Sequence, residues 1–221
     1  MTNIHWDQAQ TISYDAPRPD EYPEPVVHWQ ASAVTSALLV HDMQRYFLHR
    51  FDVQGQPAAG LVDNIERAIT TARKLGIPVI YTAQPGSMTP EQRGLLKDFW
   101  GPGMTVAPEH RRVVDRLAPD SGDLVLDKWR YSAFARSPLE EHLRVTGRSQ
   151  LVICGIYAHI GVLATALDSY TRDIETFVLA DAVADFDRIQ HLNTLHYLAR
   201  TSARVAPTAT VLDEWERNND R

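Results

Sequence analysis

The sequence predicts an α/β fold in which a parallel sheet is covered by helices on both faces. Short apolar runs, of the length of buried strands, alternate six times with segments of helical periodicity. This alternation is typical of parallel strands joined by right-handed helical crossovers. No segment repeats with a period of about 20–50 residues, as it would in a solenoid. A length of 221 residues fits one such domain.

The first half of the predicted domain contains three strands. The first strand, residues 37–40, is apolar and leads into Asp42. A helix is predicted over 61–75, because apolar residues recur at helical spacing and Gly76 is a C-terminal signal. The other predicted elements of this half are a strand at 77–82, a short helix starting at 89–90 with proline in first position, a Gly- and Pro-rich loop at 99–108, a helix at 108–117 and a strand at 123–126.

The second half continues the same alternation. Its predicted elements are a helix at 138–146 that ends at Gly147, a strand at 150–154, a helix at about 161–171, a strand at 176–180, a helix at 187–202 and a short strand at 203–206. We therefore predict one domain over residues 37–215. Residues 1–36 form an N-terminal arm, because four prolines between positions 17 and 25 exclude a regular helix. Residues 216–221 are predicted to be a frayed, charged tail.

Composition excludes several classes of function. The net charge of -6 argues against general binding to nucleic acids or anionic membranes. No apolar run approaches the roughly 20 residues of a membrane span, and residues 1–30 do not resemble a secretory signal. The single cysteine, Cys154, excludes an internal disulfide and any multi-cysteine metal site. We expect a cytoplasmic protein. Glycine-rich dinucleotide and nucleoside triphosphate motifs are also missing from the sequence.

Polar side chains follow the strands at one predicted rim of the sheet. Asp42, Gln84 and Lys128 come after the first three strands, and the segment 155–161 follows the fourth. Ligands of open α/β sheets bind outside these carboxyl ends. The cluster therefore favours a pocket for a small anionic ligand. Two plainer interpretations stay open at this point: Asp42 could cap a helix, and the rims of such sheets are generally polar.

Five stretches carry a resemblance to a known family. The chain resembles the isochorismatase-like hydrolases of the cysteine hydrolase superfamily, and among them the members that cleave isochorismate-type vinyl ethers. The matching stretches are LLVHDMQRYFL (38–48), YTAQPGSMTPEQRGLLKDFWGPGM (81–104), KWRYSAF (128–134), GIYAHIGV (155–162) and ADAVADF (180–186). The resemblance implies a three-layer αβα fold with a six-stranded parallel sheet, which we expect in the order 3-2-1-4-5-6.

The resemblance also implies a catalytic set. The superfamily uses an Asp, a Lys and a nucleophilic Cys, and Asp42 and Lys128 match the first two. Gly161 stands where the cysteine would be, while Cys154 lies within a strand and is expected to be a buried apolar residue. A thioester mechanism therefore cannot operate. This departure fits isochorismatases, which hydrolyse an enol ether without covalent catalysis.

The chemistry of a vinyl ether requires one well-placed general acid. Protonation of the terminal methylene carbon gives an oxocarbenium ion, which water attacks, and the hemiketal then collapses to pyruvate and an alcohol. Asp42 is the expected acid and must be protonated when substrate is bound. A closed pocket favours the neutral acid if Lys128 and Arg93 neutralise the substrate carboxylates. No metal and no organic cofactor are expected.

Further residues are assigned by the same resemblance. The predicted substrate-binding set is Gln84, Arg93, Trp100, Tyr131, Tyr157, Phe47 and Gly161. For Trp100 and Tyr131, core packing is an equal alternative. His159 is expected to make a structural hydrogen bond, and Asp181 and Asp185 are expected to be loop or cap residues. His41 is expected to face the opposite side of the sheet from Asp42, because side chains alternate along a strand.

Two substrates compete in this interpretation. They are 2-amino-2-deoxyisochorismate, as in phenazine-type pathways, and isochorismate, as in siderophore pathways. The run at 86–104 resembles the phenazine type more closely, and the chain ends before the carrier domain of many siderophore members. The alternatives are an inactive scaffold of the same fold and an amidase that uses Cys154. We also expect a homodimer whose arm, through Tyr14, Tyr22 and Trp29, packs on a neighbouring subunit or folds back on its own.

Overall fold

The computed structural model describes residues 11–219. The strands are β1 (Ser36–His41), β2 (Val79–Ala83), β3 (Leu124–Asp127), β4 (Gln150–Ile156), β5 (Glu175–Ala184) and β6 (Arg204–Ala206). They form one sheet in the order β3-β2-β1-β4-β5-β6, and all neighbouring pairs are parallel. The predicted fold class and strand order are confirmed.

Helices of very different length connect the strands. They are α1 (Arg45–Leu48), α2 (Ala58–Lys74), α3 (Pro90–Arg93), α4 (Leu96–Trp100), α5 (Pro108–Arg111), α6 (Leu139–Val145), α7 (Leu163–Tyr170), α8 (Arg188–Thr201) and α9 (Thr208–Arg217). A π-helical turn, Ala158–Val162, leads from β4 into α7. Within residues 11–219, none of the helices has the length and apolar character that a membrane span needs.

The sheet has a hydrophobic core on each face. All six residues of β1 are buried, as expected for a central parallel strand. Leu38 and Val40 pack into a cluster with Ile65 of α2 and Trp215 of α9. Leu39 points to the other cluster, which α6, α7 and α8 cover. This arrangement is the three-layer αβα architecture, and it leaves the carboxyl ends of the strands free to build a site.

At the sheet periphery one predicted helix was wrong and one helix was missed. The helix expected over 108–117 is split into α5 and a 3₁₀ turn, Asp115–Leu117, because Arg112 and Val114 are extended. The intervening Val113 instead forms an antiparallel bridge with Gln44. Helix α9 was missed and incorporates the first residues of the expected tail. Its Trp215 is completely buried and donates from Nε1 to Ser36 Oγ at 2.9 Å.

The described part of the arm packs against its own chain. Ile12 is buried and forms a parallel bridge with Phe51. The hydroxyl of Tyr14 accepts a 2.8 Å hydrogen bond from the backbone N–H of Asp185. The ring of Trp29 lies 6.3 Å from that of Phe177. Residues 11–35 thus fold back on their own subunit, and packing of the arm on a neighbouring subunit stays a prediction. The rest of the arm, residues 1–10, lies outside the described residues.

Candidate active site

One pocket lies at the carboxyl ends of the central strands. Its empty space, including the open mouth, is about 530 Å³. The structure places all nine predicted site residues in its wall: Asp42, Lys128, Gln84, Arg93, Trp100, Tyr131, Tyr157, Phe47 and Gly161. The wall also contains residues that sequence reasoning did not include: His41, Tyr46, Leu96, Ile156, Ile160 and Phe186.

Asp42 is held by two donors at the base of the pocket. It follows β1 directly and has a positive φ of 50°, so the strand geometry ends there. Its Oδ1 accepts a 2.7 Å hydrogen bond from Thr82 Oγ1, and its Oδ2 lies 2.9 Å from Lys128 Nζ. The residue is only 5% exposed. Because the carboxylate bonds Thr82 and Lys128 rather than a helix terminus, the alternative role as a helix cap does not apply.

Lys128 reaches Asp42 from β3, two strands away in the sheet. Its backbone N–H donates to the carbonyl of Ala83 at 2.9 Å, which extends the parallel ladder beyond Asp127. Lys128 is 4% exposed, so both members of this ion pair are removed from water. A buried pair of this kind costs desolvation energy and is weak as a stabilising device, which favours a chemical role for it.

His41 lies beside Asp42 in the pocket, and the prediction that it faces the other side of the sheet was wrong. The alternation of side chains holds only while the strand stays extended, and the positive φ of Asp42 interrupts it. His41 Nδ1 lies 2.8 Å from the carbonyl of Ile156 and 3.9 Å from Asp42 Oδ2. Burial lowers the pKa of His41 to about 4, although Asp42 opposes this shift. The imidazole is therefore neutral at pH 7.

Arg93 brings a second cation to the pocket without an acidic partner. Its Nε donates to the carbonyl of Gly101 at 3.0 Å, and its Nη1 donates to Gln84 Oε1 at 3.0 Å. The residue is 5% exposed, and within residues 11–219 no carboxylate forms an ion pair with it. Burial consequently lowers the pKa of Arg93. A buried guanidinium that bonds only neutral groups is well suited to receive a substrate carboxylate.

Gln44 fixes the segment that carries Gln84 and Arg93. This fully buried side chain donates from Nε2 to the carbonyls of Gln84 and Arg111 at 2.9 and 2.8 Å. Its Oε1 accepts from the backbone N–H of Gln84 at 2.8 Å. Gln44 thereby ties the loop after β2 to the end of α5, and so supports one wall of the pocket.

Aromatic side chains form the remaining walls. Tyr157 donates from its hydroxyl to the carbonyl of Phe47 at 2.9 Å, and its ring centroid lies 4.4 Å from that of Phe186. At the mouth, Trp100 donates from Nε1 to the Tyr131 hydroxyl at 2.7 Å. Tyr131 is 37% exposed, so this pair borders the opening and does not belong to the core.

Three other candidate residues do not line the pocket that contains Asp42 and Lys128. His159 pairs through Nδ1 with the buried carboxylate of Asp185 and does not line the pocket, in agreement with a structural role. Asp181 accepts from the backbone N–H of Thr208 at 2.7 Å and so caps α9. Cys154 is completely buried within β4, and burial raises the pKa of its thiol. An amidase mechanism that uses Cys154 is therefore excluded by its position.

The fold and the site define a three-layer αβα protein that has a buried acid–lysine pair and a glycine in the first turn after β4. Comparison with known proteins identifies the family: the isochorismatase domain model matches residues 36–211, and the chain belongs to the isochorismatase family.

Relatives from two biosynthetic pathways are similar to the chain. A phenazine biosynthesis protein, PhzD1, from Pseudomonas aeruginosa is 48% identical over 204 residues, which cover 92% of this chain and 98% of the relative. Enterobactin synthase component B from Escherichia coli is 47% identical over 200 residues, which cover 90% of this chain and 70% of that protein. A crystal structure of a cysteine hydrolase from Pseudomonas syringae pv. phaseolicola has a TM-score of 0.80 at 24% identity, covers 88% of this chain and 99% of its own, and shows the shared fold.

Proposed function

We propose that the protein is an isochorismatase-type hydrolase that cleaves the enolpyruvyl vinyl ether of 2-amino-2-deoxyisochorismate. The products are pyruvate and trans-2,3-dihydro-3-hydroxyanthranilate. The observation that carries this proposal is the buried Asp42–Lys128 pair in a pocket where position 161 provides no nucleophile. The phenazine biosynthesis relative supports the choice of substrate. We further propose that the enzyme is cytoplasmic and homodimeric.

In the proposed mechanism Asp42 acts first as an acid and then as a base. Its proton goes to the methylene carbon of the vinyl ether, and the electron pair of the double bond forms the new C–H bond. Water attacks the resulting oxocarbenium carbon and returns a proton to the Asp42 carboxylate. The hemiketal hydroxyl then loses its proton and becomes the carbonyl of pyruvate, while the bond to the ring oxygen breaks and this oxygen takes up a proton to leave as the alcohol. No covalent bond forms between the protein and the substrate at any step.

The charges of the pocket suit a dicarboxylate substrate. Lys128 and Arg93 are cations, and Asp42 is the one carboxylate among the residues that line the described pocket. A substrate carboxylate that approaches Lys128 competes with Asp42 for the ammonium group. Lys128 then balances the charge of the substrate carboxylate instead of that of Asp42, as the proposed proton transfer from Asp42 requires.

Isochorismate is the second candidate substrate. It is favoured by the 47% identity to enterobactin synthase component B, which nearly equals the identity to the phenazine protein. The two substrates differ at one ring substituent, amino against hydroxyl, so the pocket contacts described above serve either of them. One enzyme can therefore accept both compounds.

The test offers each compound separately to the purified protein. Pyruvate is followed by its reduction with lactate dehydrogenase and NADH, and the ring product is identified by mass spectrometry. We expect pyruvate from both compounds and a higher kcat/KM for the amino compound. A higher kcat/KM for isochorismate would reverse the order of the substrates. If neither compound yields pyruvate, the protein is an inactive scaffold.

A further inference from the structure

The imidazole of His41 occupies the space beside Gly161. A Cβ atom added to Gly161 would lie 2.1 Å from Cε1 and 2.7 Å from Nε2 of this ring. Such distances are far below van der Waals contact. Gly161 belongs to the helical turn after β4 and is not among the glycines with positive φ, so its backbone does not require glycine. The requirement for glycine comes from His41.

The His41 ring has no room to retreat. It is completely buried, and its Nδ1 is held 2.8 Å from the carbonyl of Ile156. Its Nε2 is buried and makes no hydrogen bond of normal geometry within residues 11–219, although the Tyr131 backbone interacts with the ring, so burial of this polar atom is costly. A valine or leucine in this place would fill space without that cost. The groups of opposite charge that face the ring, Asp42 and Lys128, are already paired with each other.

We propose that His41 and Gly161 act as one steric pair, in which the imidazole excludes every side chain from position 161 and so keeps a nucleophile out of the pocket. A hydroxyl or thiol at position 161 would share the pocket wall with Asp42 and Lys128 and could form an acyl-enzyme. His41 is thereby a residue that determines the type of reaction. This proposal deepens the proposed function, but its tests do not use the enol ether, so the two can fail separately.

The first test measures coupling between the two positions. Gly161→Ala, His41→Ala and the double variant are compared by thermal unfolding, with Gly122→Ala as the matched control, because a Cβ at exposed Gly122 meets nothing within 4 Å. We expect Gly161→Ala to lower the Tm strongly and Gly122→Ala to leave it unchanged. His41→Ala should lower the Tm of the wild type but raise that of Gly161→Ala.

Additive effects, or a Gly161→Ala protein as stable as the control, would overturn the proposal. If Gly161→Ala does not fold, the double variant decides: recovery of a folded protein supports the steric pair, and failure to fold contradicts it.

The second test asks whether removal of the ring admits a nucleophile. The double variant His41→Ala/Gly161→Cys is mixed with p-nitrophenyl acetate. The thiolate attacks the ester carbonyl, a C–S bond forms, and the C–O bond to p-nitrophenolate breaks. We expect a burst of one p-nitrophenolate per chain and a mass increase of one acetyl group. The wild type should give neither signal, since Cys154 is buried. Gly161→Cys should give neither signal because the His41 ring occupies the space that the new side chain needs.

Gly161→Cys alone should also not hydrolyse amides. Acetylation of Gly161→Cys at a wild-type Tm would contradict the proposal, and so would a folded double variant that is not acetylated.

Discussion

Replacement of Asp42 separates its chemical role from its structural one. Asp42→Asn keeps the size of the side chain and an oxygen that can accept from Thr82 Oγ1, but it cannot donate the proton of a carboxylic acid. General acid catalysis typically contributes about 10²- to 10⁴-fold, and we expect kcat for pyruvate release to fall by that factor. Substrate binding, followed through the fluorescence of Trp100 in the pocket wall, should change little.

Asp42→Ala should also lose stability, because it leaves Lys128 buried and unpaired. Lys128 is 4% exposed, and removal of one partner from such a pair costs about 3–5 kcal/mol. The matched control is Asp123→Asn. The Asp123 side chain is 6% exposed and pairs with Arg73 at the opposite end of β3, so this variant should lose stability and keep its turnover. More than a tenth of wild-type turnover in Asp42→Asn would refute the role of Asp42 as the acid.

Three further predictions concern binding, pH and assembly. Arg93→Lys should raise KM at least about tenfold with a smaller effect on kcat, because the ammonium group of lysine cannot reproduce the planar contacts of the Arg93 guanidinium. Equal changes in KM and kcat would contradict this prediction. Burial lowers the pKa of His191 from 6.5 to about 4, so its contribution to stability is complete above pH 6.5 and is lost as the pH falls towards 4. Urea unfolding should show that wild type loses about 2 kcal/mol more than His191→Gln between pH 7 and pH 5, and parallel pH curves would refute the assignment. Light scattering should give a dimer, whereas a mass near 24.9 kDa would count against it.

The strands were predictable because they lie on short apolar runs of the sequence, whereas their order in the sheet was expected from the family resemblance. Residues 36–41 and 150–156 are buried along their whole length, and the apolar runs inside them, 37–40 and 151–154, are typical of central parallel strands. Helix α9 was harder to predict. Its buried face depends on Trp215 reaching Ser36, a partner 179 positions away that no local pattern reveals. The split of the helix expected at 108–117 also depends on a contact that is distant in the sequence, because Val113 forms an antiparallel bridge with Gln44.

Site residues that directly follow a strand could be predicted from the sequence. Those whose position depends on a local backbone conformation could not. Asp42, Gln84 and Lys128 could be placed together because parallel strands deliver their carboxyl ends to one rim. The position of His41 could not be obtained in this way, since it depends on the positive φ of Asp42. Phe186 was overlooked, although it ends one of the five stretches that carry the family resemblance.

In the proposed mechanism Asp42 protonates the methylene carbon of the enolpyruvyl group, and water then attacks the adjacent carbon that carries the ether oxygen. The most direct test runs the reaction in ¹⁸O-labelled water, with lactate dehydrogenase present to trap pyruvate as lactate before its carbonyl exchanges with solvent. Mass spectrometry then locates the label in both products. Our account predicts one ¹⁸O atom at the carbonyl-derived position of lactate and none in the ring product. Label in the ring hydroxyl would mean that water attacks the ring carbon, and it would contradict the proposed mechanism.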